Sequence, residues 1–111
     1  MLRVAGVDPG TGSFDICILE DGRFKAAVSI PSSQVYSQPE TLAEVLERFS
    51  PLSLVAGPSG HGAPLKPLSR TSEADLMLAA LVRPEQASAI LGLRKVLRLL
   101  RRLGLPVLLL P

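Results

Sequence analysis

Apolar and polar positions alternate along the first thirty residues and then switch to helical spacing. Leu2 to Val7 is a short apolar run, partly β-branched, and it stops at a turn signal, so it predicts a strand. Phe14, Ile16 and Ile18 share one parity and predict a second strand. Glu20-Asp21-Gly22 is a hairpin signal, and Phe24, Ala26, Val28 and Ile30 then alternate with more polar positions as a half-exposed third strand. Pro31 stops that strand, and Ser32 to Gln38 reads as a polar loop.

Ser37 with Glu40 three residues later predicts a capping box, followed by Leu42, Val45, Leu46 and Phe49 at helical spacing up to Pro51. Leu52 to Ala56 reads as a short buried strand. Thr71 or Ser72 caps a helix through Leu76, Met77, Ala80 and Leu81, broken at Arg83-Pro84. Pro84 and Glu85 suit the start of another helix. Its apolar stripe runs from Ile90 through Leu91, Leu93, Val96, Leu97 and Leu100 to Leu103, with Arg94, Lys95, Arg98, Arg101 and Arg102 off its centre. Gly104 suits the helix end, and Leu105 to Leu110 predicts a last buried strand. The fold class is therefore α/β, a five-stranded mixed sheet in the order β-β-β-α-β-α(α)-β. A three-strand antiparallel meander is extended by parallel strands through right-handed crossovers.

Composition narrows the picture modestly. The 111 residues make one domain, long enough to bury about two-thirds of the unfolded surface. Hydrophobic residues make up 47% with no tryptophan, so leucine, alanine and valine must carry the core. A net charge of +2 is too small to point to nucleic acid, and the basic helix reads as a solvated face. Single Cys17 fits a reducing compartment and, within an apolar run, a packing role. No signal segment or membrane-spanning run is seen, so a cytoplasmic protein is expected.

The chemistry concentrates between the first two strands, in Asp8-Pro9-Gly10-Thr11-Gly12-Ser13. Glycines allow positive φ and close approach of a ligand, and such a bend aims backbone N–H groups at an anion as a nest. Thr11 and Ser13 add hydroxyls, and Asp8 offers hard oxygen to a divalent cation. An ordinary hairpin would need neither the preceding Asp nor the following hydroxyls. A second Gly- and Pro-rich stretch, Gly57 to Leu68, follows a buried strand and should lie at its carboxyl end, where open α/β sheets place ligands. Its polar groups are Ser59, His61 and Lys66.

The Asp8 to Ser13 bend resembles the first phosphate loop of the sugar kinase, heat-shock chaperone and actin superfamily. Gly57-Pro58-Ser59-Gly60-His61-Gly62-Ala63-Pro64-Leu65-Lys66 and Gly92-Leu93-Arg94 leading to Leu105 through Pro111 are similar to an uncharacterised prokaryotic family known as predicted butyrate kinases. The resemblance implies a ribonuclease-H-like, actin-like ATPase lobe over residues 1–111, with the second lobe of that fold absent. It implies ATP and Mg2+ as cofactors, Asp8 organising the magnesium, and Gly10, Thr11, Gly12 and Ser13 contacting phosphates. Ser59, Gly60 and His61 would border the acceptor side. A first lobe should be inactive without its second, from the same or a separate chain, and should expose apolar surface open to self-association. Two alternatives stand beside this kinase-type phosphotransferase. One is a nuclease of the Holliday junction resolvase type, which needs clustered carboxylates around two metals. Among Glu44, Glu47, Glu73, Asp75 and Glu85, none is expected at the end of a central strand. The other is a non-catalytic interaction module with the same fold.

Overall fold

The computed structural model describes residues 1–59, 65–79 and 87–110. Strands β1 (Arg3–Pro9), β2 (Ser13–Glu20) and β3 (Arg23–Pro31) form the expected antiparallel meander. The hairpin turn takes positive φ at both central residues, 51° at Asp21 and 81° at Gly22, matching the twist of the flanking strands. Helices α1 (Ser32–Ser37) and α2 (Glu40–Arg48) lead to β4 (Leu54–Ala56), which pairs parallel with β1. A two-residue strand β5 (Lys66–Pro67) and a 3₁₀ turn (Leu68–Arg70) precede helices α3 (Glu73–Ala79) and α4 (Ala87–Arg102). The last strand is β6 (Val107–Leu109), parallel to β4.

Among the described residues the sheet order is β3-β2-β1-β4-β6-β5, six strands rather than the expected five. The addition is β5, antiparallel to β6, inside the Gly- and Pro-rich stretch Gly57 to Leu68. Lys66 is accordingly a tie: its Nζ lies 2.8 Å from Asp75 Oδ2 and fastens β5 to α3.

One face of the sheet carries the core. Ala5, Val7, Phe14, Ile16, Ile18, Ile30, Val55, Val107 and Leu109 are buried against Val35, Leu42, Leu46, Leu93, Val96, Leu97 and Leu100 from the helices. Burying each of the larger side chains, the valines, leucines, isoleucines and Phe14, contributes about 1.5–3 kcal/mol. Phe14 and Tyr36 meet edge to face, 5.5 Å apart at 84°. Leu103, assigned to the same stripe, is 45% exposed, because α4 has already ended at Arg102.

Two local expectations change. Ser32 to Gln38 is mostly helix, not loop. The predicted capping box is absent: Pro39 occupies the α2 cap, and Ser37 Oγ instead donates to Gln34 O at 3.3 Å. A true box forms at α3, where Ser72 Oγ accepts from Asp75 N (3.1 Å) and Asp75 Oδ2 accepts from Ser72 N (3.0 Å). At the end of α4, Gly104 takes φ 72° and Leu105 N reaches back to Leu100 O. The helix start assigned to Pro84 and Glu85, and Ala80 and Leu81, lie outside the described residues.

Candidate functional site

The opposite face of the sheet is open. Asp8 on β1, Asp15 and Cys17 on β2, Ala27 and Ser29 on β3 and Leu110 after β6 are all exposed. Cys17 is thus not a packing residue; it stands on the parity opposite Phe14, Ile16 and Ile18. Small residues Gly6, Ala27 and Ala56 hollow this face into a recess of about 610 Å3, bounded by Asp8, Asp15, Ser29 and Leu110.

Asp8 lies directly across the ladder from Asp15. Residues so paired put their side chains on one face, with Cβ atoms about 4.5–5.5 Å apart. Two carboxylates therefore stand together at the foot of the β1–β2 bend. Asp15 is held in place by two hydroxyls, Ser29 Oγ at 2.7 Å and Ser13 Oγ at 3.0 Å, both donating to its Oδ1. Ser13 is thereby a positioning group for Asp15. Asp15 was not among the expected site residues. Its signal was a charged residue interrupting an alternating apolar strand, at the position that register sets opposite Asp8.

The bend itself is strapped from beneath. Gly10 N donates to Ser13 O at 2.9 Å. Buried Ser32, at the start of α1, donates its Oγ to Gly10 O at 2.7 Å and its backbone N to Gly12 O at 3.1 Å. Because the peptide is planar and trans, anchoring Gly10 O toward Ser32 turns the N–H of Thr11 the other way, outward. The N–H groups of Thr11 and Gly12 have no partner among the described residues, and both residues are exposed. Neither Gly10 nor Gly12 has a positive φ, so the bend is not a nest. Gly10 is needed for proximity: a Cβ there would sit 2.6 Å from Ser13 O.

The loop after β4 begins beside this site. Gly57 takes φ 83°, and a Cβ there would stand 2.4 Å from Val7 O, one residue before Asp8. Ser59 Oγ donates to Leu110 O at 2.8 Å and accepts from Leu110 N at 3.2 Å. Ser59 thus tethers the chain after β6 next to the recess. Gly60 and His61 lie outside the described residues. No group of three or more His, Cys, Asp or Glu side chains gathers around one point among the described residues, so Asp8 and Asp15 remain a pair.

Set against known protein families, the chain matches one family over residues 6–111. It belongs to that family, DUF1464, described as proteins of unknown function. Neither that description nor the structures below mention butyrate or a kinase. No curated protein matches this DUF1464 chain. Among solved structures it is similar to RuvC of T. thermophilus in complex with Holliday junction substrate, with TM-score 0.58 and 20% identity over 99% of this chain and 64% of that one. It is also similar to a member of the Ppx/GppA family from Aquifex aeolicus, with TM-score 0.58 and 13% identity over 96% of this chain and 51% of the other. The type II variant of the Aquifex aeolicus Ppx/GppA phosphatase aligns at TM-score 0.52 and 12% identity, again over 96% of this chain and 52% of that one. These likenesses establish the ribonuclease-H-like, actin-like α/β fold. The DUF1464 chain spans about half to two-thirds of each neighbour's length.

Proposed function

We propose that the chain is the first lobe of an ATP-dependent small-molecule phosphotransferase, acting on a carboxylate or a sugar. The observation that carries this reading is the bend between β1 and β2. Its carbonyls are tied inward to Ser32, its Thr11 and Gly12 amides have no partner among the described residues, and a carboxylate pair stands at its foot. Amides and hydroxyl of Thr11, with the Gly12 amide, would hold phosphate oxygens. Asp8 would hold Mg2+ through its carboxylate, with Asp15 beside it; hard oxygen donors suit that ion. The cation would neutralise phosphate charge, and positioning with charge stabilisation is most of phosphoryl transfer. A second lobe, supplied by the same or another chain, would close the cleft and carry the adenosine contacts. The open apolar face around Phe24, Leu54 and Leu110 gives such a lobe, or a second copy, a surface to meet.

Isothermal titration with Mg–ATP and Mg–pyrophosphate tests this. Binding should require magnesium and fall at least tenfold in Asp8→Ala. Magnesium-independent binding, or none, contradicts it.

The Asp8–Asp15 pair itself favours a second reading, a nuclease of the Holliday junction resolvase type. Paired carboxylates are the start of a two-metal site, and such a site uses further ligands. Cleavage of a four-way DNA junction with Mn2+, lost in Asp8→Asn, would put this reading first.

A further inference from the structure

A second cleft, of about 420 Å3, opens on the helical side between the α1–α2 junction and α4. Lys95, Arg98 and Arg102 line one wall, with Ser37 and Glu40 opposite. The three cations are spaced i, i+3, i+7 on α4, so they form a row about 10 Å long with steps of about 4.5 and 6 Å. The described length of α4 contains no acidic residue at all. Its cations share one outside carboxylate, Glu73, which takes Arg94 (3.4 Å), Arg98 (2.7 Å) and Arg101 (3.0 Å). Lys95 and Arg102 are exposed, and no carboxylate lies within 4.0 Å of either among the described residues. Glu40 lines the same cleft without pairing to any of them. Among the described residues, Lys95 and Arg102 therefore keep their positive charge unpaired on this wall.

We propose that this cleft holds the phosphate backbone of a nucleic-acid strand. Lys95 and Arg102, unpaired among the described residues, stand about 10 Å apart with Arg98, shared with Glu73, between them, and such a row matches a line of backbone charges better than a single point anion. Backbone contacts position a strand without reading its bases. The lining has no aromatic side chain on which bases could stack, so binding is by charge and indifferent to sequence. Leu99 is the one large apolar side chain of the lining, too little to anchor the cations on a bilayer. The cleft lies across the sheet from Asp8 and Asp15, so the proposal stands whether or not the bend binds nucleotide.

Fluorescence anisotropy with a labelled single-stranded DNA of about 20 nucleotides, from about 50 to 200 mM salt, tests it. The wild-type chain should bind at low salt and weaken linearly on a log–log plot. Lys95→Gln/Arg102→Gln should weaken binding roughly tenfold at the lowest salt and make the slope shallower by about 1.4, the share of two contacts on a single strand. The control Arg23→Gln/Lys25→Gln on exposed β3, equal in charge change, should alter affinity less than twofold. All three proteins should keep the same circular dichroism spectrum. The proposal is overturned if the wild type does not bind, if both double variants lose affinity equally, or if phosphatidylserine vesicles bind and DNA does not.

Discussion

Ser32 shows how much of the candidate site depends on one buried hydroxyl. Its two donors hold the carbonyls of Gly10 and Gly12, and nothing in the local sequence announces a contact spanning 22 residues. Ser32→Ala should cost roughly 1–2 kcal/mol by leaving Gly10 O unsatisfied, measured by urea unfolding. The two glycines of the bend should behave oppositely. Gly10→Ala forces a Cβ against Ser13 O and should destabilise by about 1–3 kcal/mol, whereas a Cβ at Gly12 meets nothing within 4 Å. Gly12→Ala should therefore leave the melting temperature within about 2 °C of wild type and weaken only phosphate binding. Asp8 was legible from its place before the bend. Asp15 required the register: once β1 and β2 flank a bend at residues 10–12, Asp8 must face Asp15. Like charges directly opposite repel, so Asp8→Asn or Asp15→Asn should raise the melting temperature by about 1–4 °C without divalent cation.

At the scale of elements, α3 and α4 are joined by buried Leu76 in the shared apolar core and by an exposed ion cluster. Three guanidiniums converge on Glu73; the hydrogen bonds from Arg98 and Arg101 lower its pKa from 4.5 to about 2. Lys66 first, then the Ser72 backbone N–H, lowers that of Asp75. Both groups favour the charged form when folded. Their stabilisation is complete above the ordinary carboxylate range and is lost as pH falls, for Glu73 between about 4.5 and 2. Thermal unfolding should therefore show an acid limb across that window, shallower in Glu73→Gln and partly suppressed by high salt because the carboxylate is exposed. Helix α1 and helix α4 meet differently. A Cβ at Gly92 would lie 2.4 Å from the Tyr36 ring, so α4 lies against α1 only because residue 92 has no side chain. Gly92→Ala should destabilise despite the better helix propensity of alanine, by about 1–3 kcal/mol.

Element type was readable where local chemistry is decisive. Asp21-Gly22 called for a turn with two positive φ values, and Gly104 for a helix end, and each sits where the pattern put it. It was not readable where tertiary contacts override local preference. Ser37 and Glu40 carry the letters of a capping box, but Pro39 takes the cap position and Ser37 turns back onto Gln34. Lys66-Pro67 pairs only because β6 offers it an edge.

At the scale of the molecule, the sheet divides two kinds of surface. Its helical side is packed and, along α4, basic. Its open side is apolar with two acids at one end. The alternation of the first three strands foretold a one-sided sheet, and the order of elements foretold the ribonuclease-H-like fold. What the alternation did not reveal is that Cys17, Ala27 and Leu110 would border a recess beside Asp8, because Ala56 of β4 and Leu110 after β6 complete it from parts of the chain distant from the meander.

The central claim is that the carboxylate pair and the bend above it take up a divalent cation together with phosphate. Titrating Mn2+ into isotopically labelled protein, with pyrophosphate present, and following the broadening of amide resonances tests it directly. Broadening should centre on Asp8 and Asp15, extend through Thr11 and Gly12, and vanish in Asp8→Asn. Broadening that centres on Glu73 instead, or that persists unchanged in Asp8→Asn, would contradict the account.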